Sequence, residues 1–269
     1  MFEATEGFQL GPANVPISLI AVVMGLAIFL LWIKKGEREQ SHQADRFRDL
    51  LFSSLFVALL VYKFWPFVEN YGQLSVKPSQ LLLYSGGAYG WEAAMISGVL
   101  WFTYGGIRRK LSLWLTVEWL LLGFVSVRVA SSLLLKKVGM PTDWWGWTVQ
   151  GQVYVPMNLL EGVGYLLLVG VYAWVRGQHG VKSGEDHSHH MTDGIITTNA
   201  VDASQFHKER AALLLVGVGL LTLLLTLGET GRNAVIWGNW TLAELCGFVA
   251  IIIGGLLLLY PIRYKKVDN

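Results

Sequence analysis

Seven long apolar runs, separated by short polar segments, constrain this chain more than any other feature of its sequence. They cover roughly residues 15–33, 51–68, 88–104, 111–135, 159–175, 211–227 and 241–260. A helix needs about 20 mostly apolar residues to cross the hydrocarbon core of a bilayer. None of the runs alternates with a period of two residues, as the strands of a membrane barrel do. The sequence therefore predicts an all-α integral membrane protein with seven transmembrane helices, forming a single domain over residues 1–269.

The composition agrees with a membrane protein. Charged residues make up 15% of the chain and hydrophobic residues 53%, whereas soluble domains carry about 25% charged residues. The first run follows acidic Glu3 and Glu6 instead of the basic segment of a signal peptide, so we expect a retained helix. With Cys246 as the single cysteine, no internal disulfide can form. We expect lipid and protein partners and no nucleic acid.

Lysine and arginine are distributed unevenly between alternate loops. Fifteen lie in the loops after the first, third and fifth runs and in the C-terminal tail, against four in the other loops, namely Lys77, Lys136, Lys137 and Arg232. Because basic loops stay in the cytoplasm, this pattern predicts an outer N-terminus and a cytoplasmic C-terminus.

Residues 178–205 are polar and rich in glycine, serine, threonine and histidine, which is typical of a flexible cytoplasmic loop.

Ionisable residues inside apolar runs are costly and are candidates for function. They are Lys63, Glu92, Glu118, Arg128, Glu161 and Glu244. Arg128 lies farthest from polar sequence and has two interpretations. It forms a structural ion pair with Glu92, Glu118 or Glu161, or it binds an anion such as a lipid phosphate, which suits the planar donor fork of a guanidinium.

Two further motifs have both a structural and a functional interpretation. Glycines Gly86 and Gly87 precede the third run; they form a simple turn, or they let a ligand approach the free N–H groups of a helix N-terminus. The six histidines lie in segments predicted to be cytoplasmic, so we expect none inside the bundle. The tract around His187 is more typical of a solvated loop than of a metal site. We expect neither a metal nor another cofactor.

Several motifs, in order along the chain, resemble those of the bacterial prolipoprotein diacylglyceryl transferases. Leu10-Gly11-Pro12 resembles that family's Ile-Gly-Pro opening, and the basic Arg108-Arg109-Lys110 loop falls after the third helix in both. Tyr84-Ser85-Gly86-Gly87-Ala88-Tyr89-Gly90-Trp91 resembles the family's Asp-Gly-Gly-Met-Ser-Phe-His motif, and Val127-Arg128-Val129-Ala130-Ser131 resembles its Gly-Arg-Leu-Gly-Asn motif. Val155-Pro156-Met157-Asn158-Leu159-Leu160-Glu161 resembles its His-Pro-Ser-Gln-Leu-Tyr-Glu motif.

The resemblance implies a protein of the bacterial cytoplasmic membrane that acts in lipoprotein biogenesis. The family transfers diacylglycerol from phosphatidylglycerol to a lipobox cysteine. The resemblance also implies a site for a lipid phosphate formed by Arg128, Lys63, Gly86 and Gly87. The residues that would support this site are Glu161, Glu118, Ser131 and Asn158.

The chain departs from the family at several reactive positions. Trp91 stands at the family's histidine, Ser131 replaces its asparagine, Val155 replaces a second histidine, and the region near Thr222 lacks an arginine. Loss of one donor to a developing charge costs several kcal/mol of barrier. The sequence therefore favours a non-catalytic relative that binds phospholipid or a lipidated or secreted protein. The alternatives are an active transferase with a rearranged site and a transporter.

Overall fold

The computed structural model describes residues 7–10, 13–36, 41–69, 86–143, 145–185, 198–227, 235–237 and 240–259. Over these residues the fold is helical, with short strands in the connections, which confirms the all-helical prediction at that level. The seven described helices are α1 (Ile17–Gly36), α2 (Ser41–Glu69), α3 (Gly90–Arg108), α4 (Leu113–Leu134), α5 (Met157–Glu185), α6 (Thr198–Leu227) and α7 (Leu242–Leu259).

Five of these helices are long and apolar enough to cross a bilayer. The candidate spans are Ile17–Lys34, His42–Glu69, Leu113–Leu134, Met157–Gly177 and Gln205–Thr226. Ala243–Leu259 is a shorter apolar helix, and α3 is less apolar because its 19 residues include four glycines and a glutamate. The structure thus indicates a multi-pass membrane protein, while seven spans and their orientation stay predictions.

The Cα positions group the chain into two compact units. The first comprises Met1–Leu31 and Leu113–Asn269, and the second comprises Trp32–Ser112. In the first unit, α6 and α7 approach closely where Gly219 faces Gly247, and the antiparallel strands β1 (Gly7–Leu10) and β2 (Ala13–Pro16) precede α1. In the second unit, α2 packs on α3, with Phe47 edge-on to Phe102.

A three-stranded antiparallel sheet joins α4 to α5 and brings the end of one close to the start of the other. Its strands are β3 (Val138–Pro141), β4 (Trp147–Val149) and the central β5 (Gln152–Pro156). The β4–β5 turn places Gln150 and Gly151 at positive φ, as a two-residue hairpin turn requires. A two-stranded ribbon of β6 (Val235–Trp237) and β7 (Trp240–Thr241) precedes α7. The apolar runs did not reveal these strands.

Helical backbone extends into both ends of the segment predicted to be a loop. Helix α5 continues to Glu185, and α6 begins at Thr198. Polar sequence ends a membrane span without ending a helix, because the i→i−4 hydrogen bonds continue while water solvates the side chains. Residues 186–197, with the tract around His187, lie outside the described residues.

Candidate functional site

The first polar cluster joins α4 to α5. It is defined here as the Arg128 cluster and consists of Arg128, Lys137 and Glu161. The Arg128 Nη2 atom pairs with Glu161 Oε1, and Lys137 Nζ lies 3.8 Å from Glu161 Oε2. Glu161 is buried on the second turn of α5, next to the end of α4, because the two helices are linked only through the short sheet. Of the three acidic residues that the sequence analysis considered as partners of Arg128, Glu161 is the one that forms the ion pair.

Arg128 keeps unused hydrogen-bonding capacity after this pairing. Its Nε atom is buried and has no hydrogen-bond partner among the described residues. The guanidinium carbon lies 6.0 Å from the centre of the Tyr165 ring, a distance typical of a weak cation–π contact. Arg128 and Lys137 both lie beside the Glu161 carboxylate, so the cluster is a meeting point of two cationic side chains. The cluster can therefore accept an anion.

Asn158 and the serines of α4 hold the backbone around the cluster. Asn158 is buried; its Oδ1 accepts a hydrogen bond from Trp147 Nε1 at 3.2 Å, and its Nδ2 donates to the Ser132 carbonyl at 3.3 Å. Gly162 packs against the Ser132 side chain. The predicted supporting residue Ser131 is half-buried, and its carbonyl accepts the Leu135 N–H at 2.8 Å. These bonds fix β4 and the start of α5 to the end of α4.

Glu118, predicted to support Arg128, belongs to a different cluster. It lies ten residues earlier on α4, about 15 Å along the helix axis. Its carboxylate contacts Tyr172 on α5 and His207 and Arg210 on α6. His207 is itself buried, so the expectation that no histidine lies inside the bundle is wrong for this residue. The sequence around His207 is polar, so the residue was assigned to a loop. In the structure α6 already begins nine residues earlier, at Thr198.

The second unit contains the remaining predicted residues, Lys63, Gly86 and Gly87. Glu69, at the end of α2, accepts the Ala88 N–H at 3.1 Å and the Tyr89 N–H at 2.8 Å. Trp65 Nε1 also donates to Glu69 Oε1, at 2.7 Å. Gly87 adopts φ +75°, and a Cβ there would collide with the Glu69 carboxylate.

The N–H groups at the start of α3, which the sequence analysis proposed as phosphate donors, thus donate to the Glu69 carboxylate. Lys63, Gly86 and Gly87 lie in the second unit and Arg128 in the first, so a single phosphate site built from all four residues stays a prediction. Glu69 was missed because it is 19 and 20 residues from its amide partners, and no local pattern signals the contact.

Glu244 has a structural explanation. Its Oε2 accepts the Thr241 N–H at 2.7 Å, and its own N–H donates to Thr241 Oγ1 at 3.3 Å. This reciprocal capping box satisfies donors that the first turn of a helix leaves open. In the described part of the chain, no group of three or more His, Cys, Asp or Glu side chains is arranged to hold a metal ion.

No protein family matches the sequence, and no curated protein matches it significantly.

Proposed function

We propose that this chain is a membrane protein that binds the phosphate of an anionic phospholipid, with phosphatidylglycerol as the leading candidate, at the Arg128 cluster. We further propose that it is a divergent, non-catalytic relative of the prolipoprotein diacylglyceryl transferases. The observation that carries the lipid assignment is the position of Arg128 on an exposed stripe of α4, where its side chain pairs with Glu161 and is 37% exposed.

The stripe follows from helical spacing. Leu120, Phe124 and Arg128 are four residues apart, so they lie on one face of α4. Leu120 is 43% and Phe124 46% exposed, and the Arg128 side chain is 37% exposed. Two large apolar side chains exposed on a membrane helix face hydrocarbon, and Arg128 continues their line. A lipid beside α4 therefore meets the guanidinium directly.

The depth of Arg128 also fits a headgroup. It precedes the end of α4 at Leu134 by six residues, about 9 Å along the axis. An arginine at this depth is costly unless an anion or water reaches it. Glu161 pairs with one amino group of the guanidinium, and a phosphate accepts paired N–H bonds from a guanidinium. By the predicted orientation this phosphate belongs to the outer leaflet.

The proposal that the protein is non-catalytic rests on the residues that stand at the family's reactive positions. Thiol transfer needs a base to form the thiolate and several donors to hold the leaving phosphate. Trp91 replaces the family's histidine and is exposed at the start of α3. Thr222, near the position of the family's arginine, donates its hydroxyl to the Val218 carbonyl at 2.8 Å and carries no charge.

Native mass spectrometry of the purified full chain tests the lipid assignment. We expect phosphatidylglycerol to be retained over phosphatidylcholine, and Arg128→Gln to reduce this retention about tenfold or more, as loss of a charge-assisted bond of at least about 1.4 kcal/mol implies. Lys136→Gln is the matched control. It removes a neighbouring cation that lies 5.8 Å from the centre of the Trp147 ring and forms no part of the Arg128 cluster.

Two outcomes would contradict the assignment. Equal retention of both lipids, or equal losses for Arg128→Gln and Lys136→Gln, would reduce Arg128 to a structural partner of Glu161. Competition by free glycerol phosphate separates recognition of the phosphate from recognition of the whole lipid. In the same preparation, transfer of a diacylglyceryl group to a lipobox peptide, abolished by Arg128→Gln, would replace the non-catalytic proposal with an active transferase.

A further inference from the structure

A buried polar cluster lies between α4, α5 and α6, remote from the Arg128 cluster. Glu118 is 1% exposed. Its Oε1 accepts a hydrogen bond from the Tyr172 hydroxyl at 2.5 Å, and its Oε2 lies 2.5 Å from His207 Nδ1. Arg210 completes the cluster, with Nε 3.4 Å from Glu118 Oε1 and Nη2 3.1 Å from His207 Nδ1. These four residues are named the Glu118 cluster below.

The two contacts of His207 Nδ1 make opposite demands on that atom. Its short approach to Glu118 Oε2 requires a hydrogen between them, because two facing lone pairs repel. Arg210 can only donate, so its approach to Nδ1 requires a lone pair there. Both contacts are compatible when the shared hydrogen resides on Glu118, because the single in-plane lone pair of Nδ1 then accepts from Glu118 and is shared, more weakly, with Arg210. That arrangement places the other ring hydrogen on Nε2.

Loss of one proton produces a second arrangement. The single remaining hydrogen then resides on Nδ1 and is donated to the ionised Glu118, and the released proton passes to water. Arg210 Nη2 now faces an N–H group and is repelled, while Arg210 Nε remains beside the Glu118 carboxylate. The charge of the cluster, Arg210 included, falls from plus one to zero.

We propose that the Glu118 cluster is a proton-binding site in which one proton, held between Glu118 and His207, switches Arg210 between these two partners. Without the proton, Arg210 pairs with Glu118 and links α6 to α4. With it, Arg210 turns to His207 on its own helix, so proton uptake removes a charged bond between two helices. Buried Glu–His chains of this kind act as proton relays in membrane proteins.

Further charged groups lie on the helices that form the Glu118 cluster. On α5, Arg176 lies one turn beyond Tyr172, and on α6, Lys208 is buried next to His207 in sequence. Residues 17–31 of α1 and the described part of α7 after Glu244 carry no charged residue. Glu209, also on α6, accepts a hydrogen bond from Gln205 Nε2 at 3.3 Å. The test below leaves these three charged residues unchanged.

Difference infrared spectroscopy on the full chain in nanodiscs of zwitterionic lipid provides the test. On titration from about pH 8 to about pH 5, the range in which histidine sites titrate, we expect a carboxylic-acid C=O band to appear. The band should be absent in Glu118→Gln. Nitrogen-15 histidine spectra should lose the Nδ1–H signal of His207 over the same titration.

A matched tyrosine pair keeps the test decisive if Glu118→Gln fails to fold. Tyr172→Phe removes the hydroxyl that donates to Glu118 Oε1, so the pH at which its band appears should differ from that of the wild type. Tyr165→Phe, the same change two turns earlier on α5 and outside the Glu118 cluster, should leave the titration unchanged. A band that never appears, or equal behaviour of the two tyrosine variants, would reduce the cluster to a static ion pair.

Discussion

The coupling between Arg128 and Glu161 can be measured with a double-mutant cycle. Two opposite charges about 4 Å apart attract by about 4 kcal/mol at an effective dielectric constant of 20. Because 37% of the Arg128 side chain is exposed, solvent reduces this figure toward the range of surface pairs. We therefore expect a coupling energy of about 1–2 kcal/mol between Arg128→Gln and Glu161→Gln, and a smaller one, below about 1 kcal/mol, between Lys137→Gln and Glu161→Gln.

The assay is reversible unfolding of the four variants of each cycle in mixed micelles, followed by tryptophan fluorescence. Lipid retention of the same variants adds a functional readout. If Glu161 competes with a phosphate for the guanidinium, Glu161→Gln should lower stability and raise phosphatidylglycerol retention. A coupling energy of zero for the Arg128 cycle would refute the ion pair. A parallel fall of stability and lipid retention in Glu161→Gln would refute the competition.

Two further predictions concern packing and topology. Gly254→Ala should destabilise the α6–α7 pair by about 1–3 kcal/mol, because its Cβ would lie 2.8 Å from a carbonyl oxygen of α6; the adjacent control Gly255→Ala meets no atom within 4 Å and should not destabilise in thermal melts. A cysteine at Gly146 should react with an impermeant reagent added outside cells and one at Ser183 should not, and the reverse pattern would contradict the predicted orientation.

Sequence reasoning predicted the helices well because each apolar run must satisfy its backbone hydrogen bonds internally. The short strands escaped it, since segments such as Trp147–Val149 are too brief for alternation to stand out. Arg128 was identified as a candidate from its depth, but three acids were open as its partner. Only the placement of α5 against α4 selected Glu161.

The missed residues share one physical cause. His207 and Glu69 acquire their roles from contacts 89 and about 20 residues away in sequence. A hydrogen bond across such a separation is created by helix packing, and no local spacing records it. Both residues also lie in polar flanks of their helices, where a charged side chain usually signals only the approach to water.

The Glu69 carboxylate, at the end of α2, competes with free anions for the amide N–H groups at the start of α3. It is covalently part of the chain, so its effective concentration at the Ala88 and Tyr89 amides is on the order of millimolar or higher. A phosphate arriving from solution must displace it, and its apparent affinity falls by the fraction of time that the amides are vacant. This helix end therefore discriminates against dilute anions, and any ligand that binds there breaks the Glu69 hydrogen bonds that join α2 to the start of α3.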